Sequence, residues 1–330
     1  MSSKEQAIAF LEAWRVGQSS FTIHSSGSTG DPKPIVLERQ WMIWSAEASA
    51  EIFKPRADDA LFCCLPLDKV GGLMMLVRSE VWGIPITIEE PSANPLRQEV
   101  HGSIISLTPY QIHHILKHET SCDRLLQFRE VLIGGASINS ELELQLQELS
   151  YDTIFRHSYG MSETYSHVAM RCINGKDASD YYTPLRNVRI EAGLDNCATI
   201  YTPYFPEGLH TNDIIELDEA GRFKVIGRAD FIINSGGVKI STEMVEKLIA
   251  DELKTDNPFI ISSVKDQVLG EKIVLVCTNP EKFKYCDWSF LDTYSPYAKP
   301  KEILQLRDIP INRSGKVDRL KVKALLSGED

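Results

Sequence analysis

"HSSGSTGDPKP", His24–Pro34, is the stretch on which the reading of the fold turns. The preceding "FTIH", Phe21–His24, reads as a short strand that runs into it. Gly27 and Gly30 let backbone N–H groups approach an anion closely. Ser25, Ser26, Ser28 and Thr29 offer hydroxyl donors, and Lys33 adds a positive charge. A polyphosphate needs that combination. The GxxxxGK[ST] spacing of a Walker A loop is absent. Taken alone the string fits a flexible polar linker as well, so its neighbours have to decide.

Those neighbours alternate between helix and strand. "RQWMIWSAEASAEIF" and "GLMMLVRSEVWG" read as helices, and "ALFCCL", "IPITIEE", "SIISLTP", "EVLIGGA" and "DTIFRHSYG" read as short strands. In "INSELELQLQELS", Ser140 and Glu143 have capping-box spacing, and Leu142, Leu146 and Leu149 share a face. Helices between short apolar strands predict an α/β layered architecture. After Tyr181 the segments become short strands with polar turns, as in "DIIELDEAGRFKVIG", which predicts antiparallel pairing. A boundary near Arg228–Asp230 divides the chain into a large domain, residues 1–228, and a small α+β domain, residues 229–330.

The 330 residues are 43% hydrophobic, ample for a buried core. A net charge of -11 argues against general nucleic-acid binding. No apolar run is long enough to span a bilayer, and "MSSKEQAIAFLEAW" reads as an amphipathic helix with Ala7, Phe10, Leu11 and Trp14 on one face, not as a signal peptide. Seven cysteines, an odd number with no CxxC, fit a reducing cytoplasmic setting better than a disulfide framework or zinc site. His113, His114 and His118 read as a solvated helix face, not metal ligands.

Three further stretches accompany the opening one. "YGMSETYSHVAMR", Tyr159–Arg171, places an aromatic, a hydroxyl and a carboxylate at a strand-to-loop turn. "HTNDIIEL" and "GRADFIINSGGVKI" place Asp213 and Arg228 around a hairpin, and "PINRSGKVDR" places Lys316 in a glycine turn near the end. In order and spacing the four resemble the adenylate-forming superfamily of acyl-CoA synthetases, luciferases and peptide-synthetase adenylation domains, over about Phe21–Leu320.

The resemblance implies a role for each position. Ser25–Lys33 would wrap the phosphates of ATP. Gly134, Gly135 and Ala136 would border the adenine, and Tyr159 would stack on it. Ser162, where the family commonly has Thr, would bond the α-phosphate, and Glu163 would hold Mg²⁺. Asp213 would accept from the ribose hydroxyls with Arg228 assisting. Lys316 would bridge the substrate carboxylate and the α-phosphate. Asp230 takes the hinge position, and Gly236 and Gly237 would line a tunnel for coenzyme A. Charge offset at a polyanionic reaction centre is what Mg²⁺ and a lysine supply.

"LPLDKVGGLMMLVRSEVWG" and the Ser-His-hydrophobic continuation of the "ET" motif are similar to the o-succinylbenzoate–CoA ligase branch, which serves menaquinone synthesis. The chain is short for the superfamily, and Asp68 and Lys69 replace the usual aromatic and histidine. This branch implies a substrate with two carboxylates, one activated and one held. Lys69, His167 or Arg171 would hold the second by a charge-assisted bond. Alternatives are a synthetase for another aromatic or short acid, transfer to a separate carrier protein, and a non-catalytic nucleotide-binding relative. Whether the chain is a monomer or a homo-oligomer stays open.

Overall fold

The computed structural model describes all residues except 25–32, 150–151, 194, 256, 312–316 and 328–330. Ser25, Ser26, Gly27, Ser28, Thr29, Gly30 and Lys316 therefore lie outside the described residues.

The chain opens with α1 (Ser3–Arg15), which buries Ala7, Phe10 and Trp14 against Phe21. Strands β1 (Ser20–His24) and β2 (Pro34–Glu38) form an antiparallel pair, and the Ser/Gly-rich string lies between them in the sequence. Then come α2 (Arg39–Phe53), β3 (Leu61–Cys63), α3 (Val70–Trp82), β4 (Ile86–Ile88), β5 (Ile104–Leu107), α4 (Pro109–Leu116), α5 (Glu119–Leu125), β6 (Glu130–Ile133), α6 (Ser140–Leu149), β7 (Ile154–Met161), β8 (Ser166–Cys172) and β9 (Thr183–Pro184). The seven strands make one sheet in the order β4-β3-β5-β6-β7-β8-β9, parallel as far as β7 and antiparallel beyond. Strands β3, β5 and β6 are buried at every position, as expected of parallel strands covered on both faces. Two apolar clusters cover them: one contains α1, α2 and α3, and the other contains α4, α5 and α6.

Strands β10 (Arg189–Ala192), β11 (Cys197–Thr202), β12 (Phe205–Leu217) and β13 (Phe223–Arg228) form an antiparallel sheet. The "EAGR" turn joins its last two strands, closed by the Asp218 N–H donating to the Arg222 carbonyl at 2.8 Å. A single 3₁₀ turn, Ala229–Phe231, leads into a third sheet. It is built from β14 (Ile232–Ser235), β15 (Val238–Ser241), β16 (Phe259–Asp266), β17 (Gly270–Cys277) and β18 (Glu302–Gln305), with α7 (Thr242–Leu253) and α8 (Arg319–Ser327). Ser235 pairs with Val238, so Gly236 and Gly237 form a two-residue hairpin turn. Both have positive φ, +60° and +83°, as such a turn requires.

One local expectation changes. Ser140 does not cap α6. The Asn139 side chain accepts from the Leu142 N–H at 2.8 Å instead, while Ser140 Oγ donates to Asp251 Oδ2 at 3.0 Å. Asn and Ser are comparable caps, and the acidic partner on α7 is 111 residues away, out of reach of a local reading. Glu143 does not reach back to the cap either, because Arg171 takes it.

Candidate active site at the carboxyl edge of the large sheet

Strand β7 carries the chain to the carboxyl edge of the parallel strands, where ligands gather in open α/β sheets. The turn Met161–Ser166 sends it back as β8. Thr164 Oγ1 accepts from the Met161 N–H at 2.9 Å and donates to the Ser166 carbonyl at 2.7 Å. Tyr165 and Ser166 have φ of +60° and +141°, conformations that side chains rarely adopt and that tend to persist at functional turns. Ser162 is half-buried on this turn. Glu163 is exposed there and makes no ion pair among the described residues. No group of three His, Cys, Asp or Glu able to hold a metal occurs among the described residues. A lone carboxylate still suits Mg²⁺, which commonly takes one or two carboxylates together with substrate phosphates.

The structure brings Tyr159, Asp213, Arg228 and Asp230 together. Tyr159 Oη donates to Asp213 Oδ2 at 2.7 Å, and Arg228 Nη1 donates to Asp213 Oδ1 at 2.7 Å. Arg228 also reaches Asp230 at 2.8 Å, and Asn212 donates to the other oxygen of Asp230 at 2.7 Å. Burial, and then the Asp213 charge, push the Tyr159 phenol well up, so it stays a donor. Its ring meets Phe223 edge-on, with centroids 5.0 Å apart.

Gly134–Ala136 follow β6 at the same edge. A Cβ on Gly134 would fall 2.6 Å from Ser158 Oγ, so a larger residue there would have to displace that hydroxyl from the Ile133 carbonyl. Lys33 is exposed at the foot of β2. Gly236 and Gly237 belong to the third sheet.

Of the three side chains expected to hold a second carboxylate, two are committed elsewhere. Arg171 is paired through both terminal nitrogens with Glu143, at 2.5 and 2.8 Å, and lies over the Tyr182 ring. That correction was hidden by 28 residues of separation between the partners. His167 is 3% exposed and enclosed, with Nε2 2.8 Å from Ser49 Oγ. Ser49 gives its one proton to the Ser45 carbonyl at 2.7 Å, so the ring donates from Nε2 and presents a lone pair at Nδ1. Lys69 is partly exposed at the start of α3, donating to the His24 carbonyl at 3.2 Å.

The lone pair of His167 faces a residue that the sequence reading passed over. Arg78 is 2% exposed. Its Nη2 donates to Ser166 Oγ at 2.9 Å and lies 3.4 Å from His167 Nδ1. Among the described residues Nη1 meets only the Met75 sulfur, at 3.7 Å, and Nε has no partner. No carboxylate pairs with it among the described residues. Burial pushes the guanidinium down to about 10, still charged at neutral pH, and also holds the His167 imidazole well below its usual range. An arginine directly after the apolar run "GLMMLV" was the available signal.

The sequence pattern of the AMP-binding enzyme family matches residues 12–192. A 2-succinylbenzoate–CoA ligase of Listeria monocytogenes serotype 4b (strain F2365) is 28% identical, over 96% of this chain and 72% of that one. A solved acyl-CoA synthetase (AMP-forming)/AMP-acid ligase II-like protein from Dyadobacter fermentans is 31% identical, covers 98% of this chain and 94% of that one, and superposes with a TM-score of 0.64. An o-succinylbenzoate CoA synthetase from Bacillus subtilis, solved with its acyl-adenylate intermediate, shares the fold at a TM-score of 0.73 with 22% identity, over 92% of this chain and 68% of that one. With the pattern covering more than half of its residues, and a relative of nearly equal length sharing its fold, the chain belongs to the AMP-binding enzyme family.

Proposed function

We propose that the chain is an ATP-dependent 2-succinylbenzoate–CoA ligase. The observation that carries this is Arg78: a guanidinium buried with no carboxylate partner among the described residues, next to the Met161–Ser166 turn. A buried cation is costly unless an anion answers it. A dicarboxylate bound here would supply that anion with one group and leave the other at the turn for activation. Ser166 Oγ and the neutral His167 accept from Arg78 and aim its remaining N–H groups. Lys69 stands nine residues earlier, at the N-cap of the same helix, roughly 13 Å along its axis. It therefore serves a different group from Arg78, at the end of the strand pair that flanks the Ser/Gly-rich string.

The reaction has two steps. A carboxylate oxygen attacks the α-phosphorus of ATP, the bond to the bridging oxygen breaks, and pyrophosphate leaves with that electron pair. The thiol of coenzyme A then attacks the acyl carbonyl, loses its proton to solvent and expels AMP. Mg²⁺, held through Glu163, would offset phosphate charge, as Lys316 would at the α-phosphate. Tyr159 and Asp213 would hold the nucleoside and Ser162 the α-phosphate. Arg228 binds both Asp213 and Asp230, so the nucleoside carboxylate and the hinge share one guanidinium. We assign residues 1–228 to the large domain and 229–330 to a small domain that swings about Asp230. Its Gly236–Gly237 turn would line the thiol path in the second orientation.

The test is pyrophosphate release with ATP and Mg²⁺ over a panel of mono- and dicarboxylic acids, with and without coenzyme A. Turnover of 2-succinylbenzoate that depends on coenzyme A, and its loss in Arg78→Met, are expected. Preference for a monocarboxylate, undiminished in Arg78→Met, would overturn the assignment.

A further inference from the structure

Behind the Gly134–Ala136 turn runs a chain of buried polar groups outside the roles assigned above. His157, on β7 two residues before Tyr159, is 5% exposed. Its Nε2 lies 3.0 Å from the Ala136 carbonyl oxygen, and its Nδ1 lies 2.6 Å from the Tyr182 hydroxyl. A carbonyl only accepts, so Nε2 carries the proton. Nδ1 of the neutral ring then accepts, and the Tyr182 hydroxyl donates to it. Burial, and then the nearby Arg171 charge, push the imidazole down to about 4, which keeps it neutral.

The chain has a firm far end. The Tyr182 ring stacks on Phe223 at 5.4 Å, and Arg171 lies over it while paired with Glu143 of α6. The front of the turn is held too: the Gly134 N–H donates to the Leu107 carbonyl at 3.0 Å and Ser158 Oγ donates to the Ile133 carbonyl at 3.1 Å. Between these anchors Gly135 sits at φ +84°, where a glycine backbone has the most freedom. The imidazole removes that freedom where the turn leaves Gly135.

We propose that His157, oriented by the Tyr182 hydroxyl, is a positioning residue for nucleotide binding: it fixes the Ala136 carbonyl and with it the backbone edge presented to the adenine. This rests on the reading of Gly134–Ala136 as the adenine border. A turn free to rotate offers the purine a mixture of donors and acceptors. A fixed one offers a single pattern, and the ordering entropy is spent before ATP arrives. The effect therefore falls on ATP binding and on discrimination among purines, not on the chemical step.

The experiment compares the full chain with Tyr182→Phe, His157→Phe and His157→Gln. It measures ATP affinity by calorimetry, kcat and KM by pyrophosphate release with ATP and with GTP, and the imidazole tautomer by ¹⁵N–¹H correlation. Losing the anchor should raise KM for ATP about five- to tenfold in Tyr182→Phe and His157→Phe, the worth of one hydrogen bond, and narrow the preference for ATP over GTP. Saturated kcat and KM for the acid should hold. His157→Gln, whose amide can donate to the same carbonyl, should recover most of the loss. In Tyr182→Phe the Nε2–H should remain, because the Ala136 carbonyl still accepts it, but should exchange faster with solvent as the ring loses its second partner. Tyr182→Phe is nearly isosteric, so it decides the matter if His157→Phe does not fold. An unchanged KM for ATP in folded Tyr182→Phe would overturn the proposal, as would a parallel loss in every parameter without rescue by glutamine. Failure of the unsubstituted chain to bind ATP would overturn the parent reading instead, and this one with it.

Discussion

The two ends of the seven-stranded sheet treat buried arginine in opposite ways. At the amino end, Arg129 meets Asp59 at 2.6 Å and Arg156 meets Glu130 at 2.8 Å, so two cations face two carboxylates. At the carboxyl end Arg78 is buried more deeply, yet its neighbours are a serine hydroxyl, a methionine sulfur and the lone pair of a neutral histidine. The first arrangement is balanced in charge within the chain, although Arg129 Nε finds no hydrogen-bond partner among the described residues. On the dicarboxylate reading the second is completed by an arriving anion, and charge balance would then separate a structural cluster from a binding site on the same sheet.

The sharpest way to break this comparison is to unbalance the closed end. Glu130 is 2% exposed, and Glu130→Ala strands Arg156 and takes one of two carboxylates from Arg129, which keeps Asp59. Urea unfolding should show a loss of about 3–5 kcal/mol, with unchanged KM values in the folded fraction. A neutral result would remove the contrast. At the open end the signs should diverge. Arg78→Met should lower kcat/KM for 2-succinylbenzoate by about a hundredfold, or roughly 2.7 kcal/mol. The same change should stabilise the ligand-free chain by about 1–4 kcal/mol, since an apolar side chain replaces an unanswered charge. Paired kinetics and denaturant titration read both.

Acid should sharpen the same picture. His157 and His167 have depressed values in the folded chain, through burial first. Each keeps its stabilising share above about pH 6.5 and loses it as the pH falls, because the unfolded chain takes up the proton first. Between pH 6.5 and 5 the loss should be roughly 2 kcal/mol for His157, with a loss of the same sign for His167. Thermal midpoints over that range should flatten in the His157→Gln and His167→Gln double variant. The smallest effect is expected for Ser166→Ala. It removes one acceptor from Arg78 and should cost about 1 kcal/mol or somewhat more, with most of the loss recovered when the acid is added to saturation.

The parallel strands and their helices could be read from the sequence because each segment carries its own signal. Apolar runs such as "ALFCCL" bury without alternation, and α2 and α3 show helical length. Tyr159, Asp213, Arg228 and Asp230 were legible as separate motifs, and the fold brings them within hydrogen-bond reach of one another. What stayed hidden was pairing. Arg171 reads as an available cation until Glu143 is seen beside it, and Ser140 reads as a cap until Asp251 is. Arg78 was missed for the opposite reason. α3 is buried over most of its length, so helical periodicity gives no solvent side on which to place a charge.

The unanswered charge of Arg78 also bears on how long the protein lasts. A ligand that binds only the folded chain raises its stability by mass action, and on the dicarboxylate reading it would do so by answering the Arg78 charge. Opening of the ligand-free form exposes the backbone to proteases, and a difference of one or two kcal/mol is enough to change steady-state amounts several-fold. On the dicarboxylate reading, enzyme abundance would follow the supply of its acid without any change in synthesis, and a cell starved of that acid would clear the enzyme sooner.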